Sequence, residues 1–248
     1  SRAFRPVTAA TRDIDVRLAD MDRDGIDHQL MCVTPLLFGY ERPAAVAAEC
    51  ARLLNDTALA IAARAGGRLS SLCQVPLQDT DAACREVERA MAAGHRGVQI
   101  GNHLGDRDLD DEGILTFLQH CARLGAPVLV HPWDLPGGPR IGRHMMAWTV
   151  GMPAETHLSI SALILGGGFD RLPGSLRLCF AHGGGSFAFL LGRMENAWQH
   201  RDIARGVSAH PPSHYVERFH VDSAVFDERG GHGQRARHAR LGLSLPAR

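Results

Sequence analysis

The chain has 248 residues, of which 45% are hydrophobic and 22% charged. This length supports one large domain with its own core, and the composition excludes a disordered chain, a coiled coil and a collagen-like protein. The 27 basic and 27 acidic residues cancel, and the sequence has neither a long uninterrupted apolar stretch nor an apolar signal core at its start. We therefore expect a soluble protein that binds no nucleic acid and no membrane.

Every basic residue is an arginine, because the sequence contains no lysine. Lysine Schiff-base chemistry and a P-loop are therefore excluded. The six cysteines occur singly within apolar stretches and never as CxxC. We expect them to be free thiols in a reducing cytoplasm.

Short apolar runs alternate with longer amphipathic stretches along the chain. Six strands are predicted, at Gln29–Thr34, Leu69–Val75, Gly97–Ile100, Pro127–His131, Leu176–Ala181 and Phe219–Asp222. Helices are predicted around them, at Arg12–Asp24, Pro43–Ala65, Asp79–Ala93, Asp110–Leu124, Ala154–Ile164 and Phe187–Ala197. The fourth helix places Ile114, Leu115, Leu118 and Cys121 on one face. Strict alternation of strand and helix predicts parallel strands joined by right-handed crossovers.

Two architectures fit this alternation, an open doubly wound sheet and a (β/α)8 barrel. No G-x-G-x-x-G follows the first strand, as a dinucleotide-binding sheet would require. In a barrel, functional side chains lie at the carboxyl ends of several strands, and two strands here end at His131 and His182. We therefore predict an α/β protein with an incomplete (β/α)8 TIM barrel of about six of the eight strands. Residues 1–228 are expected to form the barrel domain, and the Arg/His/Gly-rich tail 229–248 to lie outside it.

His131 and His182 are the histidines to which we assign chemistry, because each ends an apolar run. Most of the others, His95 and His157 among them, lie in polar helical or loop segments and are expected to be solvated. Neutral imidazole suits a zinc ligand or a general base. The glycines at 183–185 suit either a tight strand-to-helix turn or close approach of an anion to the backbone.

A set of segments spread over the chain resembles the 2-amino-3-carboxymuconate-6-semialdehyde decarboxylase family, a branch of the amidohydrolase superfamily. HPWD followed by MPAET and HGGG, in this order, is specific to that branch. The segments are FRPV (4–7), MCVTPLLFGY (31–40), QVPLQD (74–79), GVQIGNHLGD (97–106), VLVHPWD (128–134), VGMPAET (150–156), CFAHGGGSFAFLLGR (179–193) and FHVDSAVFD (219–227).

The resemblance implies a barrel with a single Zn²⁺, held by a His-x-His pair, a fifth-strand histidine and a final aspartate. His131 matches the fifth-strand ligand, and His182 matches the catalytic histidine that acts on the zinc-bound water. Arg5 matches an arginine that binds a substrate carboxylate, and Arg193 a second one contributed across a homodimer interface. Trp148 resembles a tryptophan of the substrate pocket, although a packed helix aromatic is an equally good interpretation.

The implied reaction is zinc-dependent, non-oxidative decarboxylation of the dicarboxylate 2-amino-3-carboxymuconate 6-semialdehyde to 2-aminomuconate 6-semialdehyde. It belongs to tryptophan catabolism through kynurenine, or to nitroaromatic catabolism. The sequence contains no His-x-His and no G-[ST]-D-Y-P-F segment, so three of the four expected zinc ligands are absent. We therefore expect the first and last barrel strands to be missing and this chain to be inactive as it stands. The alternatives are another amidohydrolase-superfamily hydrolase, a different aromatic-acid decarboxylase such as a resorcylate decarboxylase, and a non-catalytic fragment.

Overall fold

A computed structural model describes residues 7–225. Its strands are β1 (Gln29–Met31), β2 (Leu69–Ser71), β3 (Val98–Ile100), β4 (His103–Leu104), β5 (Arg107–Asp108), β6 (Val128–Val130), β7 (Leu178–Phe180) and β8 (His220–Val221). β1 pairs with β2, and β3, β6, β7 and β8 form a four-stranded sheet in that order; every one of these pairings is parallel. A parallel bridge between Cys73 and Val98 joins the two sheets into one row.

Helices lie between the strands of this row. The α-helices are α1 (Ile14–Arg23), α2 (Ala44–Ala63), α3 (Thr80–Ala93), α4 (Glu112–Leu124), α5 (Met152–Leu165), α6 (Gly168–Arg171), α7 (Phe187–His200) and α8 (Asp202–Arg205). Short 3-10 segments occur at Ala9–Thr11, Pro35–Leu37, His182–Gly184 and Pro212–Arg218, and a π-helical turn at Ala147–Gly151 precedes α5. Six parallel strands in chain order with intervening helices are the arrangement predicted for an incomplete (β/α)8 barrel.

The six predicted strands and the six predicted helices are all present, with strands shorter than their apolar runs. The antiparallel hairpin of β4 and β5 was not predicted, because strands of two residues show no alternation. The single-turn helices α6 and α8 were not predicted either.

Aspartates begin α3 and α4, and glycines end them. Asp79 accepts a hydrogen bond from the N–H of Ala82 at the start of α3, and Asp111 caps α4 in the same way. Gly94 and Gly125 follow these helices with φ angles of 117° and 67°, which a residue with a Cβ adopts only under strain. The capping residues therefore determine where α3 and α4 begin and end.

The main core lies between the sheet and the helices. The residues of β3, β6 and β7 that face it are almost fully buried: Val98, Ile100, Val128, Val130, Leu178 and Phe180. The predicted face of α4 is buried against the same core: Ile114, Leu115, Leu118 and Cys121. A second, smaller cluster joins α1 to the end of α2 and the start of β2: Ile14, Met21, Ala65 and Leu69.

The carboxyl ends of β6, β7 and β8 meet at one edge of the sheet, since these strands are parallel neighbours.

Within residues 7–225, no helix combines the length and the apolar character needed to cross a membrane. Residues 226–248 lie outside the described part of the chain, so the proposed domain boundary at residue 228 stays a prediction.

Candidate active site

His131 and His182 lie side by side at this edge. His131 directly follows β6, and its backbone N–H donates to the carbonyl of Ile100 at 2.9 Å. His182 lies two residues after β7. The residue between them, Ala181, donates its backbone N–H to the carbonyl of Val130. The two ring centroids are 4.8 Å apart, with an angle of 69° between the ring planes. The prediction that both imidazoles occupy the same rim is confirmed.

The hydrogen bonds of the two rings assign the same tautomer to both. Nδ1 of His131 lies 2.7 Å from the carbonyl oxygen of Pro132, which can only accept, so Nδ1 carries the hydrogen. Nδ1 of His182 lies 3.4 Å from Oγ1 of Thr156. The Thr156 hydroxyl already donates its hydrogen to the carbonyl of Met152, so its oxygen accepts from Nδ1–H of His182. In each ring, Nε2 therefore keeps its lone pair and can bind a metal or a proton.

Both imidazoles favour the neutral state. Burial lowers the pKa of His131, against smaller opposing effects of the Pro132 carbonyl and the Asp222 carboxylate. Burial also lowers the pKa of His182; the adjacent His131 ring lowers it further, and Asp222 opposes the change. Neutral rings with free Nε2 atoms are what a ligand and a general base need near neutral pH.

Asp222 is a third polar residue at this edge, directly after β8. Its N–H donates to the carbonyl of Phe180, and its Oδ1 accepts from the N–H groups of Gly183 and Ala224. A strand was predicted to end at Asp222, but no role was predicted for this residue. The signal was the one used for His131 and His182, a polar side chain at the end of an apolar run.

A glycine turn connects His182 to α7. The φ angles of Gly184 and Gly185 are 76° and 62°, and neither position has room for a side chain. A Cβ on Gly184 would lie 2.9 Å from Cγ1 of Val221, and one on Gly185 would collide with the carbonyl oxygen of Pro153. Of the two interpretations of these glycines, the structure supports the tight turn.

An open cavity of about 880 Å³ lies above the two histidines. Its wall is mostly apolar and comes from the loops after β1, β6, β7 and β8 and from the start of α5. The lining residues include Leu36, His131, Trp133, Leu135, Met145, Trp148, Met152 and His182. No arginine lies among the described lining residues. Such a cavity suits a small, partly apolar ligand.

The other predicted site residues differ in their placement. Trp148 lies in the π-helical turn and lines the cavity. Arg193 is exposed on α7 and is not among the residues that line the cavity. Arg5 lies outside the described residues. The substrate-binding roles assigned to all three stay predictions.

A polar group behind the cavity wall was not anticipated. Nδ2 of Asn102 donates to Oε2 of Glu155 at 2.9 Å, and Nε2 of His103 lies 3.7 Å from the same oxygen. The indole N–H of Trp133 donates to the carbonyl of His103 at 2.7 Å. These contacts tie the loop after β3 to α5 and fix Trp133 on the wall. The motifs NHLGD and MPAET supply this group.

The expectation of solvated imidazoles was wrong for His95 and His157. His95 is only 3% exposed, and its Nδ1 lies 3.0 Å from Oγ of Ser71. His157 is half-buried, with Nδ1 3.0 Å from Oγ of Ser186. The helix and loop segments that carry these residues look polar along the sequence, but tertiary packing against β2 and α7 covers the rings.

The described residues fit a metal ion only in part. His131 has the features of a ligand, because its Nδ1–H bond to a backbone carbonyl fixes the ring and leaves Nε2 open. Within residues 7–225, however, no group of three or more His, Cys, Asp or Glu side chains is arranged to hold a metal ion. These residues alone therefore do not make a complete metal centre.

Comparison with known sequences identifies relatives of the chain. The amidohydrolase family profile matches residues 8–232. A 2-amino-3-carboxymuconate-6-semialdehyde decarboxylase from Dictyostelium discoideum is 38% identical over 227 residues, which are 91% of this chain and 63% of that protein. A gamma-resorcylate decarboxylase from Rhizobium radiobacter is 26% identical, over 85% of this chain and 68% of that protein. The chain thus spans less than two thirds of the length of the Dictyostelium relative.

Solved structures share the fold. The apo form of IDCase from Metarhizium anisopliae matches with a TM-score of 0.84 and 24% identity, over 97% of this chain and 67% of that one. A dihydroxybenzoic acid decarboxylase from Polaromonas sp. JS666, with bound manganese and 2-nitroresorcinol, matches with a TM-score of 0.79 and 21% identity, over 94% and 74%. These matches support the barrel architecture.

Proposed function

The chain belongs to the amidohydrolase family, and on that basis we propose that the protein is a metal-dependent decarboxylase of a small unsaturated dicarboxylate. The proposed reaction is non-oxidative decarboxylation of 2-amino-3-carboxymuconate 6-semialdehyde. The observation that carries the proposal is the pair of neutral imidazoles with free Nε2 atoms beneath a largely apolar cavity. The 38% identity to the Dictyostelium decarboxylase supports this substrate.

In this proposal His131 is a metal ligand and His182 a general base. We propose zinc as the metal, since neutral imidazole is a common zinc ligand, and its other ligands would come from outside the described residues. When bound, the ion would supply an acidified water and polarise the substrate. His182 accepts a proton at Nε2, since its Nδ1 is already bonded to Thr156.

Substrate carboxylates are bound by arginines from two places. Arg5 is proposed to bind one carboxylate. Arg193 does not line the cavity of its own subunit, so we propose that it reaches the cavity of a partner subunit in a homodimer. The exposed apolar residues that precede it on α7, Phe189 and Leu190, support an interface on this face. A cytoplasmic location in tryptophan or nitroaromatic catabolism completes the proposal, consistent with six free cysteines.

The test is a hybrid protein in which the segments of the Dictyostelium relative that flank its matched region are joined to this chain. After metal content and folding have been verified, the hybrid is given the semialdehyde, and CO2 release and loss of substrate are measured. We expect turnover that requires the metal and is lost in His182→Ala. A folded, metal-loaded hybrid that releases no CO2 would show the proposal to be wrong.

A second candidate is decarboxylation of an aromatic acid of the resorcylate type. The gamma-resorcylate decarboxylase match over 85% of the chain favours it. The same hybrid separates the two candidates when it is given 2,6-dihydroxybenzoate beside the semialdehyde. Arg5→Ala and Arg193→Ala should raise KM strongly for the dicarboxylate and less for the monocarboxylate.

A further inference from the structure

The peptide unit that joins His182 to Gly183 is held by a carboxylate from the neighbouring strand. Oδ1 of Asp222 accepts from the N–H of Gly183 at 2.8 Å and from the N–H of Ala224 at 3.1 Å. The first bond fixes the plane of the peptide directly after the histidine. Asp222 therefore controls the backbone from which the His182 side chain projects.

This backbone needs support, because its conformation is unusual. The φ angle of His182 is 59°, in the left-handed region that residues with a Cβ seldom adopt. Gly183 follows with a φ of 62°. A turn of this kind keeps one geometry only where its surroundings fix it.

The support itself is rigidly placed. The N–H of Asp222 donates to the carbonyl of Phe180 at 3.1 Å, which extends the parallel pairing of β7 and β8 by one residue. Val221, the residue before it, is buried against Gly184 of the same turn. The carboxylate that holds the turn thus follows β8 directly, and β8 is paired with β7, the strand that leads to His182.

We propose that Asp222 is a positioning residue, which aims the imidazole of His182 into the cavity through its bond to the Gly183 N–H. The proposal rests on the proposed function, in which His182 accepts a proton at Nε2. Asp222 acts as a hydrogen-bond acceptor, because its Oδ1 accepts both from Gly183 in the turn and from Ala224 in its own segment. An asparagine, which keeps a carbonyl oxygen at this position, should therefore replace it, whereas an alanine should not.

The test uses the 248-residue chain and needs no substrate. Histidine-selective 15N NMR reports the tautomer of His182, with the signal assigned through His182→Gln, and hydrogen exchange reports the Gly183 amide. We compare Asp222→Ala and Asp222→Asn with the control Asp202→Ala, which removes a carboxylate whose side chain is 98% exposed. In wild type, Asp222→Asn and the control, we expect a single Nδ1–H tautomer and a protected amide. In Asp222→Ala, we expect mixed tautomers and exchange faster by about ten- to a hundredfold.

Two results would overturn the proposal. One is a folded Asp222→Ala chain with the wild-type tautomer and the wild-type exchange rate. The other is a folded Asp222→Asn chain that loses both, since the negative charge would then be the active feature. If circular dichroism shows that Asp222→Ala does not fold, Asp222→Ser replaces it and the same two comparisons decide. An enzyme without turnover would count against the proposed function only, because neither readout involves catalysis.

Discussion

The hydroxyl oxygen of Thr156 lies 3.4 Å from Nδ1 of His182, and the threonine is fully buried in α5. Thr156→Val removes the acceptor and keeps the shape, so His182 loses the bond that assigns its tautomer. We expect kcat of the hybrid enzyme to fall about tenfold with little change in KM. Thr156→Ser keeps the hydroxyl and should retain most of the rate. Equal losses in the two variants would contradict this role of the hydroxyl.

His131 and His182 should differ in their effects on metal content. In the hybrid, His182→Ala is expected to leave the metal in place and to reduce turnover by about 10²–10⁴, the usual contribution of a general base. His131→Ala removes the proposed ligand and should lose both metal and turnover. Metal analysis and steady-state rates on the same samples check this difference. Loss of metal from His182→Ala would identify His182 as a ligand instead.

The 248-residue chain without added segments should hold zinc weakly. Affinity depends on the number of ligands and on their preformed geometry, and no group of three potential ligands occurs in residues 7–225. After dialysis, elemental analysis should find well below one zinc per chain, and no decarboxylation should be measurable. A tightly held, stoichiometric ion would mean that other residues supply the missing ligands.

Protonation of His95 should destabilise the fold in mild acid. Burial lowers the pKa of His95 in the folded chain below its ordinary value near 6.5, so the unfolded state binds the proton more readily. The contribution of His95 to the free energy of unfolding is therefore greatest above pH ~6.5 and declines as pH falls through its pKa in the folded state. Urea titrations between about pH 8 and pH 5 measure this slope. His95→Gln should flatten part of it, and the control His200→Gln, at an exposed position, should leave it unchanged.

Gly185 should be the most sensitive glycine of the turn. Gly185→Ala adds a Cβ at a φ of 62° and drives it into the carbonyl of Pro153, so we expect a loss of about 3 kcal/mol or more in the free energy of unfolding. Gly192→Ala is the matched control, because nothing lies within 4 Å of its added Cβ inside α7. It should stabilise the chain by about 0.5–1 kcal/mol. Chemical denaturation of both variants measures the difference.

The periodicity of apolar residues and the positions of strand ends were sufficient to predict the barrel strands and the proximity of His131 and His182. An apolar run that ends in a polar residue marks the carboxyl end of a strand, and parallel neighbours bring such ends together. The same pattern ends at Asp222, but a single carboxylate within FHVD does not show which backbone amide it will accept from. That relationship depends on the register of β8 against β7.

Burial that depends on tertiary contacts could not be predicted. His95 follows a glycine and precedes an arginine, so its surroundings in the sequence are those of an exposed loop, yet it lies beneath Ser71. Thr156 similarly looks like any helix threonine until α5 is packed against the turn after β7. The left-handed φ of His182 had no signal in the sequence, since the glycines that favour such angles come after it.

The described residues form two hydrophobic clusters, so the free energy of local unfolding should differ between parts of the chain. α1 and β1 rest on the small cluster around Met21 and Leu69, and the sheet continues beyond β2 through backbone hydrogen bonds of Ser71 and Cys73 to the segment of β3. Phe38 and Tyr40, shortly after β1, already belong to the main core. Local unfolding should therefore detach the corner that ends near Met31 and stop before Phe38. Amides of β1 would then exchange with solvent at a lower free-energy cost than those of β6, and the histidine pair would remain assembled while the corner opens.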